Sequence, residues 1–222
     1  MKAIAPEHDG RHDIAARLRE LITGGRFMPN ERLIEADLAS LLGTNRANVR
    51  MALAMLDQEG LVTRERNRGA RVRLVSDAEA IEIAEARRSL ESLVAGQAAL
   101  RVSKADRVAL RKIIAAMRKA HASGDFLLIS QLNAALHAEI QRIAGNATVA
   151  RLLETLKSQI VRQQYRAILL PGRARNSVQE HAAIVTAICE GNERAAAKAM
   201  HRHIDGVIAA LKRAIAHKGE TV

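Results

Sequence analysis

Aromatic side chains are almost missing from this sequence: 222 residues contain no tryptophan, one tyrosine and two phenylalanines. A surface that stacks unpaired bases needs several rings, so composition alone makes single-stranded nucleic acid a poor partner. Cysteine occurs once, at Cys189. An internal disulfide is therefore excluded, and the apolar helical run around Cys189 predicts a buried, inert thiol. No uninterrupted apolar stretch approaches the length of a membrane span, and the opening MKAIAPEHDGRHD is polar. Neither a membrane anchor nor a secretory signal is expected, which points to a soluble, cytoplasmic protein.

Acidic residues are in the minority. Lys and Arg number 35 against 24 Asp and Glu, a formal net charge of +11. The excess is spread along the chain: residues 1–76 hold 13 basic and 10 acidic side chains, residues 77–222 hold 22 and 14. Such a total favours polyanions in general. The length suffices for one large or two small domains with a proper core.

One stretch organises the rest, EADLASLLGTNRANVRMALAMLDQEG from Glu35 to Gly60. Leu38, Ala39 and Leu42 share a face of one short helix, and Val49, Leu53 and Leu56 share a face of the next. Gly43 can end the first helix at positive φ, and Thr44 or Asn45 can cap the second. Small Ala39 lets the two helices cross closely. This spacing predicts a helix-turn-helix, whose second helix enters the major groove of duplex DNA. Its first turn carries Asn45, Arg46, Asn48 and Arg50, side chains that can bond base edges and phosphates. A plain helical hairpin is the alternative for the segment alone, but the residues immediately downstream favour DNA. Leu61–Thr63 reads as a strand, residues 64–69 as a polar turn, and Ala70–Val75 as a second strand alternating small or apolar with basic residues. Five arginines stand against one glutamate between residues 64 and 73, which suits a wing lying on a phosphate backbone.

Upstream, residues 1–10 read as a loose tail. Asp13 is a candidate cap for a helix with Ile14, Leu18, Leu21 and Ile22 on one face, ended by Gly24-Gly25. The order LREL-I-x-G-G-R-F-x-P-x-E-R-L, then E-x-x-L-A-x-L-L-G-x-x-R-x-x-V-R-x-A-L-x-x-L-x-x-E-G-L-V, then a wing with Arg68-Gly69, resembles the winged-helix domain of GntR-type bacterial transcriptional regulators over residues 12–75. The resemblance implies DNA contacts at Asn45, Arg46, Arg50, Arg68 and Gly69. Two departures stand out: Ala36 replaces an arginine common in relatives, and Ala47 is small where some carry a polar base reader. A different operator sequence is the consequence.

Ser76-Asp77 marks a boundary between a winged helix-turn-helix at 1–76 and a second domain at 77–222. Breakers at each joint divide the remainder into six helices, Ala78–Val102, Ala105–Ser123, Phe126–Ala144, Ala147–Leu170, Ala174–Glu190 and Glu193–His217. The expected fold is therefore mainly α: the winged domain with a two-stranded wing, then an all-α six-helix bundle. The stretches LNAALHAEIQRIAGN and QEHAAIVTAICEGNERAAAKAMHRHI, with Arg87-x-x-Leu90-Glu91, resemble the helical ligand-binding (FCD) domain of the FadR-type branch of the same family.

Asn133 and His137 are four apart, hence on one helix face, and His181 and His203 belong to the last two helices. Three imidazoles and an oxygen ligand from three helices describe a first-row transition-metal site. Histidine occurs eight times, however, and a lone histidine is more often structural. The resemblance adds weight: metal-containing members carry Asp or Asn and three His at matching positions. A divalent ion, zinc or nickel, is then expected at Asn133, His137, His181 and His203. Asn133 gives the site one negative charge fewer than Asp would, which implies weaker or partial occupancy. Arg87 and Arg162 are candidate anchors for an effector carboxylate; the second is placed on a helix facing the bundle with Leu152, Leu156, Ile160 and Val161.

Together these readings describe a homodimeric, nucleoid-associated bacterial regulator, a repressor by preference, on a palindromic operator and answering to an organic acid. An architectural DNA-binding dimer and a metal-dependent hydrolase are the alternatives. For hydrolysis no general base offers itself, since Glu139 should project away from His137 and Glu180 should point elsewhere than its neighbour His181.

Overall fold

A computed structural model describes residues 10–65, 69–160 and 169–219. The chain divides into two compact units that part between Val75 and Ser76, each built around its own apolar cluster.

In the first unit, α1 (Gly10–Thr23) buries Ile14, Ala15, Leu18 and Ile22 at helical spacing. It begins ahead of the expected cap, so Asp13 lies within the first turn, where a carboxylate suits the positive end of the helix. α2 (Glu35–Leu42) and α3 (Arg46–Gln58) form the helix-turn-helix. Gly43 takes φ 64° and ends α2, with Thr44 N–H donating to Ala39 O at 3.0 Å. A residue with a Cβ is strained in that left-handed conformation. Leu38, Ala39 and Leu42 meet Val49, Leu53 and Leu56 in the core, all under a tenth exposed. Arg17 of α1 donates to the Leu42 carbonyl at 3.1 Å, satisfying one of the orphan acceptors at the end of α2.

The wing differs from expectation in having three strands. β1 (Arg32–Leu33), β2 (Val62–Glu65) and β3 (Gly69–Val72) form an antiparallel sheet in the order β1-β3-β2. The link before α2 joins because Asn30 N–H reaches Val72 O and Val72 N–H reaches Glu31 O, at 2.8 and 3.0 Å, extending the β1–β3 ladder. Val62 pairs with Val72 on the core face, while Thr63 opposite Arg71 looks outward. β2 runs into the residues read as turn, and β3 stops short of Val75.

The second unit is helical throughout its described residues. α4 (Asp77–Arg101) starts at Ser76, whose hydroxyl accepts from Glu79 N–H at 3.1 Å. α5 (Lys104–Ala122) opens with a reciprocal capping box between Ser103 and Asp106, a motif that satisfies two orphan donors at once. α6 (Phe126–Ala144), α7 (Ala147–Gln159), α8 (Arg173–Cys189) and α9 (Glu193–Gly219) complete it. α9 packs along α4 and α8, and α6 lies between α4 and α5. Cys189 is buried and free.

The helix expected over Ala147–Leu170 corresponds to α7 only as far as Gln159. Val149 and Leu153 bury, whereas Leu152 is half exposed. Ile160 is buried and Leu156 half-buried as expected, so Leu152 alone falls off the inward stripe, whose first turns are supplied by Val149 and Leu153 instead; Val161 lies outside the described residues. No helix among the described residues is long and apolar enough to cross a membrane.

Candidate nucleic-acid interface and candidate metal centre

The first turn of α3 is held in place by its own polar side chains. Asn45 is extended (φ −95°, ψ 162°), and its amide oxygen accepts from Asn48 N–H at 2.8 Å. Asn48 in turn donates to the Thr44 hydroxyl at 3.0 Å. Two of the side chains expected to read DNA thus also cap and brace the helix. Arg46 and Ala47 are exposed beside them. Arg50 is exposed too, but its guanidinium grips Glu35, the first residue of α2, through two bonds of 3.0 and 2.8 Å. The Arg50 bond, ahead of all other influences, lowers the Glu35 carboxyl from its usual range. Sequence reasoning misses Glu35, although its position at the head of the helix before the recognition helix is a visible signal. Gly69 opens β3. Arg68 lies outside the described residues.

In the second unit three histidines from three helices converge. His137 (α6), His181 (α8) and His203 (α9) are at most 4 % exposed, and one ligand atom from each lies within 4.8 Å of the others. Their ring centroids are 4.1 to 5.5 Å apart, and His137 Nε2 stands 3.1 Å from His181 Nε2. Burial, followed by the neighbouring charges, holds His181 and His203 well below the usual histidine range, so both are neutral and available as ligands. Asn133 is half-buried one helical turn before His137.

The opposite nitrogens are engaged from behind. His137 Nδ1 touches Glu91 Oε2, His203 Nδ1 is 2.7 Å from Glu180 Oε2, and His181 Nδ1 is 3.3 Å from Ser177 Oγ. Each carboxylate has its own arginine. Arg87 Nε and Nη2 reach Glu91 Oε1 at 2.9 and 2.5 Å, and Arg173 Nη1 reaches both Glu180 oxygens at 2.8 Å. Burial would raise the Glu91 carboxyl, but Arg87 and the contact with His137 outweigh it and hold the group well below its ordinary value. At Glu180, burial prevails over Arg173 and the carboxyl is raised.

This geometry corrects one expectation. Glu180 does not point away from the site: it turns toward α9 and takes the back of His203. Glu139 bonds Arg142 instead, as expected of a side chain projecting outward. Arg87, expected to anchor an effector, is committed through two of its nitrogens to Glu91, while its buried Nη1 has no hydrogen-bond partner. Arg162 lies outside the described residues.

A winged helix-turn-helix joined to a helical domain with a buried polar centre is the architecture of a DNA-binding transcriptional regulator. The chain belongs to the GntR family: the description "Bacterial regulatory proteins, gntR family" matches residues 11–72, and "FCD domain" matches residues 82–206. It is 26% identical over 235 residues to the Uxu operon transcriptional regulator of Escherichia coli (strain K12), covering 93% of this chain and 88% of that one. It is 27% identical over 217 residues to the Uxu operon regulator of Haemophilus influenzae, covering 87% and 79%. Among solved structures, E. coli McbR/YncC superposes with a TM-score of 0.79 at 19% identity, covering 91% of this chain and 97% of that one.

Proposed function

We propose that this DNA-binding transcriptional regulator acts as a homodimeric repressor on an inverted-repeat operator, and that its helical domain combines a divalent transition metal with an organic-acid effector. Asn45, Arg46, Asn48 and Arg50 would read the major groove, while Arg68 and Gly69 in the wing would lie against the backbone. Two recognition helices related by a two-fold axis call for a palindromic site.

The observation that carries the sensing half is the convergence of three buried imidazoles whose outer nitrogens are already engaged. Polar groups are costly to bury in an apolar bundle unless partnered, and a bundle that served dimerisation alone would gain nothing from them. The donor set suits zinc or nickel, with Asn133 as the oxygen ligand. A bound ion supplies a Lewis-acidic centre with open positions for a carboxylate. Around it, Arg87 offers the unpartnered Nη1. Lys157 on α7 is half-buried, its ammonium lowered chiefly by burial and within electrostatic reach of Glu91 and Arg87. Both cations favour an anionic effector. Arg162 belongs to the same proposed set.

Melting curves of chelator-treated protein test this reading. Zinc or nickel at a hundredfold excess over its dissociation constant should stabilise the protein by about 2.7 kcal/mol. His181→Ala should abolish most of that rise and Asn133→Asp should enlarge it. Because burial holds His181 and His203 well below the usual histidine range, the rise should persist through pH 6 and fade only in more acidic solution. A wild-type curve that ignores metal but shifts with a small organic acid would assign the histidines to the effector alone.

A further inference from the structure

Each of the three converging histidines, His137, His181 and His203, has one ring nitrogen held from behind. Nδ1 is the engaged atom in all three rings, which leaves Nε2 of each as the ligand atom; those of His137 and His181 already stand 3.1 Å apart. The two carboxylates doing the holding are themselves clamped: Glu91, 4 % exposed, by Arg87, and Glu180 by Arg173, also 4 % exposed.

The neighbourhood of Glu180 argues that this arrangement is more than an ion pair. A glycine in a helix interior costs about 1 kcal/mol relative to alanine, yet Gly206 sits in α9 one turn after His203. A Cβ at that position would stand 2.8 Å from Glu180 Oε1 and 3.4 Å from Arg173 Nη1. The helix accepts a weakening residue, and the space it leaves is the space the carboxylate needs to reach His203.

We propose that Glu91, Glu180 and Ser177 are positioning residues of the metal centre, presenting Nε2 of His137, His203 and His181 to the ion, with Arg87 and Arg173 fixing the carboxylates and Gly206 making room for one of them. This rests on the metal reading above. A ligating imidazole is oriented, and made a better donor, by the acceptor on its other ring N–H. The partners also fix where the protons are. His137 and His203 donate from Nδ1 to Glu91 and Glu180. Between His137 Nε2 and His181 Nε2, 3.1 Å apart, one nitrogen has to donate. In the metal-free protein that is His181, whose Nδ1 then accepts from the Ser177 hydroxyl. For His181 to become a ligand its proton shifts to Nδ1, and Ser177 turns from donor to acceptor. Two rings are thus preset, and the third is set by a hydroxyl that can rotate.

Zinc affinity of the full-length protein, measured by competition with a chromophoric chelator, tests this together with the visible spectrum of the cobalt form. Glu91→Gln and Glu180→Gln should each weaken zinc about 10- to 100-fold and alter the cobalt spectrum. Ser177→Ala should weaken zinc while leaving His137 and His203 with their protons on Nδ1. Side-chain nitrogen NMR of metal-free wild type supplies a readout independent of how well the variants fold. His137 and His203 should carry the proton on Nδ1, and His181 on Nε2. Zinc binding by both glutamine variants within about threefold of wild type, or His203 protonated on Nε2, would overturn the assignment. Wild type that takes up no zinc at all would instead sink the metal reading, and this assignment with it.

Discussion

Gly206 and Glu180 put a sign on a substitution that helix propensity alone would get wrong. Gly→Ala in a helix interior ordinarily stabilises by about 1 kcal/mol. Here the added Cβ displaces an oxygen bonded by Arg173 on a carboxylate that also holds His203. Gly206→Ala should therefore lower the urea midpoint, and an increase would show that Glu180 moves aside without cost. The buried histidines predict a pH dependence as well. The folded values of His181 and His203 lie well below the usual histidine range, so below about pH 6.5 the unfolded chain takes up protons that the folded chain refuses. Stability is present above that pH and lost as it falls. The raised Glu180 carboxyl acts in the opposite sense, so the histidine contribution is isolated by difference. Urea titrations of metal-free protein from pH 7 to 5 should show a decline that His181→Gln flattens. The three histidines are legible in the sequence because spacing places them on separate helices and a family pattern coincides with them. Their carboxylate partners are not. Glu180 comes one residue before His181, about 100° around the helix, and on an isolated helix that angle faces it away from the site. The same direction meets His203 only once α8 packs on α9.

At the scale of elements, α3 is both a folded helix and a reading head, and its first turn serves the two roles with the same residues. Asn45→Ser should keep the cap, since serine caps as well as asparagine, while removing the amide from any base contact. A loss of operator affinity without loss of thermal stability would separate the roles; equal losses in both would show that the cap is all Asn45 provides. The Glu35 clamp on Arg50 makes a second prediction. Glu35→Ala frees a guanidinium and removes a negative charge beside the phosphates. Binding to scrambled duplex should tighten and the salt slope should steepen by about one unit. Arg50→Ala should weaken operator binding by about 1–3 kcal/mol if the residue reads a base. Unchanged titrations for both variants would remove α3 as the proposed surface. Most of these elements are readable from hydrophobic period and breakers, and Phe126–Ala144 is readable to the residue. β1 is not, because two residues of strand have no period, and only the β3 edge turns the link into a ladder.

For the molecule as a whole, dimerisation belongs to the proposal, and the second unit is where it should reside. A chain spanning 77–222 should sediment as a dimer; a monomer there, with full-length dimer, would move the contact to the first unit. The histidine centre also has a meaning in the language of polymer loops. It joins points 44 residues apart, at His137 and His181, and then a third at His203. In a chain whose single cysteine can form no internal cross-link, an ion bound there as proposed would act as a reversible staple. It would close long loops whose entropy the unfolded chain otherwise regains. Amide exchange in α6, α8 and α9 should then slow together when the staple is set and quicken together when a chelator draws it. The bundle would hold or release its internal slack according to the metal and acid around it.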